Sequence, residues 1–174
     1  ALLDTMSGPD PRQPHGISQA AALGTMSGDV TGLRVGWLGD WGGAYVYEDG
    51  ITTLAENALD QMRALGCTVS ATNPPFSADA IWDSWTTLRS FTFGANLEAI
   101  YNDPDKRARL KETVQWEIGR ALNMSALDVH KASVIRSDWF KAAFHLFEKV
   151  DVLVLPSAQI WPFDVATEYP KKIN

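Results

Sequence analysis

Leu33-Arg-Val-Gly-Trp-Leu38, the run from Ile51 to Leu65, Gly66, and Cys67-Thr-Val-Ser-Ala71 read in order as strand, helix, stop and strand. Ile51, Leu54, Ala55, Ala58, Leu59, Met62 and Leu65 recur three and four residues apart, so they share one stripe of a helix. Gly66 supplies the left-handed residue that ends it. A strand, a helix and a second strand form a right-handed crossover unit, which makes the two strands a parallel pair and the chain an α/β protein.

Four glycines, Gly36 in the first strand and Gly39, Gly42 and Gly43 just after it, precede the helix. Their spacing is not that of a dinucleotide fingerprint, which needs glycines at relative positions one, three and six to bring the backbone against a pyrophosphate. No Gly-Lys-Ser/Thr follows either, so the glycines read as a tight strand-to-helix connection.

Val152-Leu-Val-Leu-Pro-Ser-Ala-Gln-Ile-Trp-Pro-Phe-Asp164 extends the reading to the far end of the chain. Val152 to Leu155 is a buried-strand pattern, and Pro156 stops it. In an open α/β sheet, ligands bind in the crevice beyond the carboxyl ends of the strands. A loop carrying Ser157, Gln159, Trp161 and Phe163 just after a strand is therefore the first candidate for a substrate-pocket wall. Trp82, Trp85 and Arg89 are the second group, aromatic and cationic side chains within two turns of one helix. Arg89 has a plainer reading as well, an ion pair with an acidic neighbour.

Three helices are expected between these strands. Ser77 can cap the first, whose Ile81, Trp82, Trp85, Leu88, Phe91, Phe93 and Leu97 predict burial on more than one side. Asp103-Pro104 pairs a capping carboxylate with a proline at the first helical position, opening a helix over residues 105–122. Ser125-Ala-Leu-Asp128 is an aspartate variant of the capping box and opens a helix running to about Lys149.

With 174 residues and 45% hydrophobic content, the chain can bury a genuine core. Its net charge of −6 and lack of an extended basic cluster argue against nucleic-acid binding, which needs a cationic face for the phosphates. Lys106, Arg107, Arg109 and Lys111 read as a solvated helix face. A single cysteine, Cys67, excludes an intramolecular disulfide and favours a reducing, cytoplasmic setting. No apolar run reaches the roughly 20 residues needed to span a bilayer. His15, His130 and His145 are too scattered for a metal motif, and no metal or cofactor is expected. Asp128 is explained by its helix N-terminus, and Glu117 beside Trp116 is solvated or hydrogen-bonded.

Leu2-Leu3-Asp4-Thr5-Met6-Ser7-Gly8-Pro9-Asp10-Pro11-Arg12, Leu33 to Leu38, Ala64-Leu-Gly-Cys-Thr-Val69 and Val152 to Pro156 resemble successive blocks of the amidase-signature family, in order and spacing. The resemblance implies an α/β fold with a mixed central sheet flanked by helices, and hydrolysis of amides by a Ser–cis-Ser–Lys triad. In that family the glycine- and serine-rich signature and the lysine precede the Gly-Pro-Asp-Pro block. No adjacent serine pair occurs in this sequence, and none of its lysines has the matching context.

The expectation is thus a single partial domain from a longer chain. It comprises a helix end (1–8), a loop or linker (9–32), a strand–helix–strand unit (33–72), a helical layer (77–149) and a strand with a pocket-lining loop (152–174). It is expected to contribute scaffold and part of the pocket for a small-molecule amide, to pair with the remainder of an amidase chain, and to be inactive alone. Uncovered sheet edges and helix faces would favour homo-oligomers. The alternative is a non-catalytic α/β domain that binds a small molecule.

Overall fold

The computed structural model describes residues 2, 6–10, 12 and 28–173. Half of the expected helix end at 1–8 and most of the linker at 9–32, together with His15, lie outside the described residues. Eight elements follow in order: β1 (Arg34–Trp37), α1 (Ile51–Ala64), β2 (Thr68–Ala71), α2 (Ala78–Tyr101), α3 (Pro104–Arg107), α4 (Glu112–Leu122), α5 (Ala126–Phe147) and β3 (Val152–Val154).

The sheet has the order β2-β1-β3. Val35 pairs with Val69 on one side and Val152 on the other, both in parallel register. Every strand pair among the described residues is parallel, so the antiparallel members of the mixed sheet implied by the resemblance are not among them. Val35, Leu59 and Cys67 are buried where α1 crosses the sheet, with Leu33, Trp37, Met62, Val69 and Val154 packed around them. Each such aliphatic side chain stabilises the fold by about 1.5–3 kcal/mol when fully buried, which anchors the crossover unit. Gly66 sits at φ 93°, the left-handed stop that the sequence pattern requires.

A polar staple holds the start of β3 to the start of β1. The Arg34 backbone N–H and guanidinium both donate to the Asp151 carboxylate, the former at 2.8 Å, and Asp151 N–H donates to Arg34 O at 2.8 Å. These donors, the side chain foremost, hold the Asp151 carboxyl down to about 2. Since the folded-state value lies below that of the unfolded chain, the interaction contributes stability at neutral pH. That contribution is lost as pH falls from about 4 to about 2. Asp151→Asn is expected to flatten the stability profile in that acid window and to leave its shape above pH 5 unchanged. Denaturant titrations at several pH values would check this.

The helical layer departs from the sequence expectation in two places. First, the expected 105–122 helix is two: α3 ends at Arg107, and α4 begins at Glu112. Residues 105–111 are charged except for Ala108 and Leu110, so a continuous helix there has no apolar stripe to bury. The stripe begins only with Val114 and the fully buried Ile118. Gln115 Nε2 donates to Leu110 O at 3.0 Å and closes the break.

Second, α2 does not bury its aromatics on several sides. Trp82, Trp85 and Phe91 are all exposed, whereas Ser84, Ser90 and Gly94 are buried. Close approach of neighbouring helices selects the small residues. Ser84 Oγ donates to Ala132 O of α5 at 2.7 Å. A Cβ on Gly94 would lie only 2.5 Å from Ala121 Cβ of α4. The expected caps do form: Ser77 Oγ accepts from Ala80 N–H, and Ser125 and Asp128 make the reciprocal capping box. Among the described residues no helix is long and apolar enough to cross a membrane.

Candidate functional site

The carboxyl ends of β1 and β3 lie side by side because the strands are parallel neighbours, and the loop after each begins there. Leu38 N–H donates to Val154 O at 3.0 Å, carrying the pairing one residue past β1. The chain then turns through Gly39-Asp40-Trp41-Gly42-Gly43, in which Gly39, Trp41, Gly42 and Gly43 all have positive φ. Trp41, at φ 60°, is the non-glycine residue held in this left-handed conformation, and it is buried. Its indole N–H donates to Phe76 O at 3.1 Å, and its ring meets Trp139 edge-on at 5.7 Å. Packing and a hydrogen bond offset the backbone cost.

The loop after β3 docks on the loop after β1 through four hydrogen bonds. Glu48 N–H donates to Gln159 O at 2.9 Å, and Gln159 Nε2 donates to Val46 O at 2.8 Å. Trp161 N–H donates to Glu48 Oε2 at 2.8 Å, and Trp161 Nε1 donates to Asp49 O at 3.0 Å. Beside this junction runs a groove of about 330 Å³. Ile51, Leu54, Ala55 and Ala58 of α1 form one side, and Pro156 to Ala158 with Ile160 to Pro162 form the other. Burial, then the neighbouring Tyr45 and Asp40, push the Tyr47 phenol up from its ordinary value, so near this junction it stays neutral.

A second groove, of about 340 Å³, lies between α2 and α5. Ile81, Trp85, Leu88 and Arg89 line it from α2, and Ile135, Arg136 and Trp139 line it from α5. The two regions are linked by aromatic contacts. Trp139 reaches Trp41 and lies 6.1 Å from Phe76, and Trp41 lies 6.1 Å from Tyr45 in the same loop system that receives Trp161.

The seven residues expected to line the pocket therefore fall into two groups. Ser157 and Trp161 line the groove beside α1. Gln159 spends its side-chain amide on Val46, and Phe163 is half exposed and lies outside that lining. Trp85 and Arg89 line the helical groove, while Trp82 stacks on Trp85 at 5.2 Å without lining it. Arg89 has the acidic partner of its plainer reading: its Nε donates to Glu117 Oε1 at 2.8 Å, and its guanidinium lies 5.2 Å from the Trp85 and Phe93 rings. Glu117 is thus hydrogen-bonded and mostly buried.

Glu48 and Trp41 are the residues that sequence reasoning missed. An aromatic side chain enclosed by Gly39, Gly42 and Gly43 was the available signal for Trp41. The Ser157 hydroxyl has no base beside it among the described residues, and no group of three metal-binding side chains occurs among them. Neither groove holds a nucleophile with its base. Both offer apolar surface with a few oriented donors, the chemistry of binding and positioning.

Comparison with known proteins locates this architecture. The crystal structure of a bacterial aryl acylamidase of the amidase signature enzymes superposes with a TM-score of 0.82 at 20% identity, over 96% of this chain and 36% of that one. This chain has the amidase-signature fold. A structure of 6-aminohexanoate cyclic dimer hydrolase complexed with substrate superposes with a TM-score of 0.70 at 16% identity, covering 86% of this chain and 32% of the other. An acylamidase of Rhodococcus erythropolis is 24% identical over 161 residues, 90% of this chain and 32% of its own length. The chain spans about a third of the length of that curated relative. No family model matches. Within the amidase-signature fold, the described residues form the parallel strands β1 to β3 and the helical layer from α2 to α5.

Proposed function

We propose that the chain supplies scaffold and one substrate wall of an amidase that hydrolyses a carboxylic amide through an acyl-serine intermediate. The observation that carries this reading is the docking of the Pro156–Pro162 loop on residues 46–49, beyond the carboxyl ends of β1 and β3 and beside an apolar groove. Ser157 and Trp161 form the wall, with Gln159 holding the loop to Val46 and Phe163 beyond the lining; Trp85 and Arg89, with Trp82 stacked on Trp85, are the second group. The reacting serines and the lysine lie outside these 174 residues, in the remainder of a cytoplasmic amidase.

There a serine attacks the amide carbonyl, the bridging serine and neutral lysine pass its proton to the departing amine, and water releases the acyl group. The wall contributes orientation and exclusion of water. Hydrogen bonds fix Trp161 at both its backbone and its indole nitrogen, so its ring is pre-positioned rather than ordered by substrate.

The isolated chain is expected to release no aniline from a simple anilide; turnover by the pure chain would overturn the assignment. In the longer enzyme, Trp161→Ala is expected to change the ratio of kcat/KM for aryl and small alkyl amides about tenfold, the scale of reshaping an apolar pocket. An unaltered ratio with a lowered melting temperature would make Trp161 a core residue instead.

A further inference from the structure

The groove between α2 and α5 combines a wide apolar lining with a cation that nothing in the described structure neutralises. Ile81, Trp85, Leu88, Ile135 and Trp139 provide the apolar surface. Its hydroxyls and its other guanidinium are committed internally. Ser84 Oγ donates to Ala132 O at 2.7 Å, Thr92 Oγ1 donates to Leu88 O at 2.9 Å, and Arg89 is balanced by Glu117 at 2.8 Å. Arg136 alone among these makes no hydrogen bond or ion pair with any described residue. No carboxylate of the described residues lines the groove.

This combination selects among ligands. Arg136 is exposed, so a neutral apolar molecule would leave its guanidinium to water and gain nothing from its charge. A cation would meet uncompensated positive charge. A carboxylate with an apolar body satisfies both features, because guanidinium donors match two carboxylate oxygens side by side. The volume of about 340 Å³ is sufficient for a small aromatic acid.

We propose that this groove binds a small carboxylate bearing an aryl or branched alkyl body, with Arg136 on the carboxylate and Trp85 and Trp139 against the body. This binding requires no amide hydrolysis; it shares Trp85 with the second group of the proposed wall but nothing with the groove beside α1 around Trp161.

The test is calorimetric titration of the 174-residue chain with 3-phenylpropionate, its primary amide and 3-phenylpropylamine, before and after Arg136→Gln. The acid is expected to bind at least about tenfold more tightly than the amide or the amine, and the substitution to bring the acid down to the level of the amide. Arg136 is exposed and unpaired on α5, so the variant should retain the parent's circular dichroism. Equal binding of acid and amide, absence of saturation by the acid, or undiminished acid affinity in the variant would each overturn the proposal.

Discussion

Gly94→Ala is expected to lower the melting temperature by roughly 2–4 °C, although alanine is the better helix former. At an exposed helical site the replacement would add about 1 kcal/mol of stability, because alanine restricts the unfolded backbone and glycine does not. Here the new methyl group would stand 2.5 Å from Ala121 Cβ. Carbon atoms pack best at about 3.5–4.0 Å, so α2 and α4 must separate by an ångström or more. Overpacking of this kind costs about 1–3 kcal/mol, and in a chain of this size each kcal/mol moves the midpoint by roughly 2–4 °C.

Separation would also strain the polar contacts one turn away, where Ser90 and Glu117 join the same two helices. Clash therefore outweighs propensity. Gly94→Ala combined with Ala121→Gly should be more stable than the two single effects added together, since the second change reopens the contact. A melting temperature raised by Gly94→Ala would show that α2 and α4 do not meet at this point.

The same contact shows why the fold was legible in the sequence only in part. The β1–α1–β2 unit was readable because its signals are local and agree: two short strand-like runs, one apolar stripe between them and Gly66 at the stop. The caps at Ser77 and Asp103 and the capping box at Ser125 were readable for the same reason. On α2 the apolar residues extend most of the way round, so periodicity could not choose a face. The choice was made by helix–helix distance, which favours Ser84, Ser90 and Gly94 and leaves Trp82 and Trp85 outside. That distance is a property of three helices together. The break after Arg107 was hidden behind a correct N-cap at Asp103, which marks where a helix starts and says nothing of where it ends.

At the candidate site, the position of Ser157 and Trp161 followed from the strand before them, as the rule for open α/β sheets predicts. Their partners did not. Gln159 and the Trp161 indole bind the carbonyls of Val46 and Asp49, and every residue carries a carbonyl, so no residue type betrays the contact. Glu48 is the side chain in that junction with chemical identity, and its partner is again a backbone group.

Glu117→Leu is expected to cost about 2–3 kcal/mol, the larger part from a hydroxyl group rather than from the ion pair. The Glu117 carboxylate accepts from Arg89 Nε and from Ser90 Oγ, and Arg120 Nη1 donates to the same Ser90 oxygen at 3.3 Å. Arg120 is held in turn by Thr87 Oγ1 at 3.2 Å and lies over Trp116. Leucine would leave Arg89 without its carboxylate, but that guanidinium is 43% exposed and water can replace the lost partner. Ser90 has no such recourse, because it is 0% exposed and its O–H would lack an acceptor. A buried donor left unsatisfied costs about 1–3 kcal/mol, whereas removing both partners of such a bond is close to neutral. Adding Ser90→Ala to Glu117→Leu should therefore recover about 1 kcal/mol, measured by urea denaturation. If the second change destabilised the protein further, the hydroxyl would have another acceptor, such as a carbonyl of its own helix, and the cost would belong to the ion pair after all.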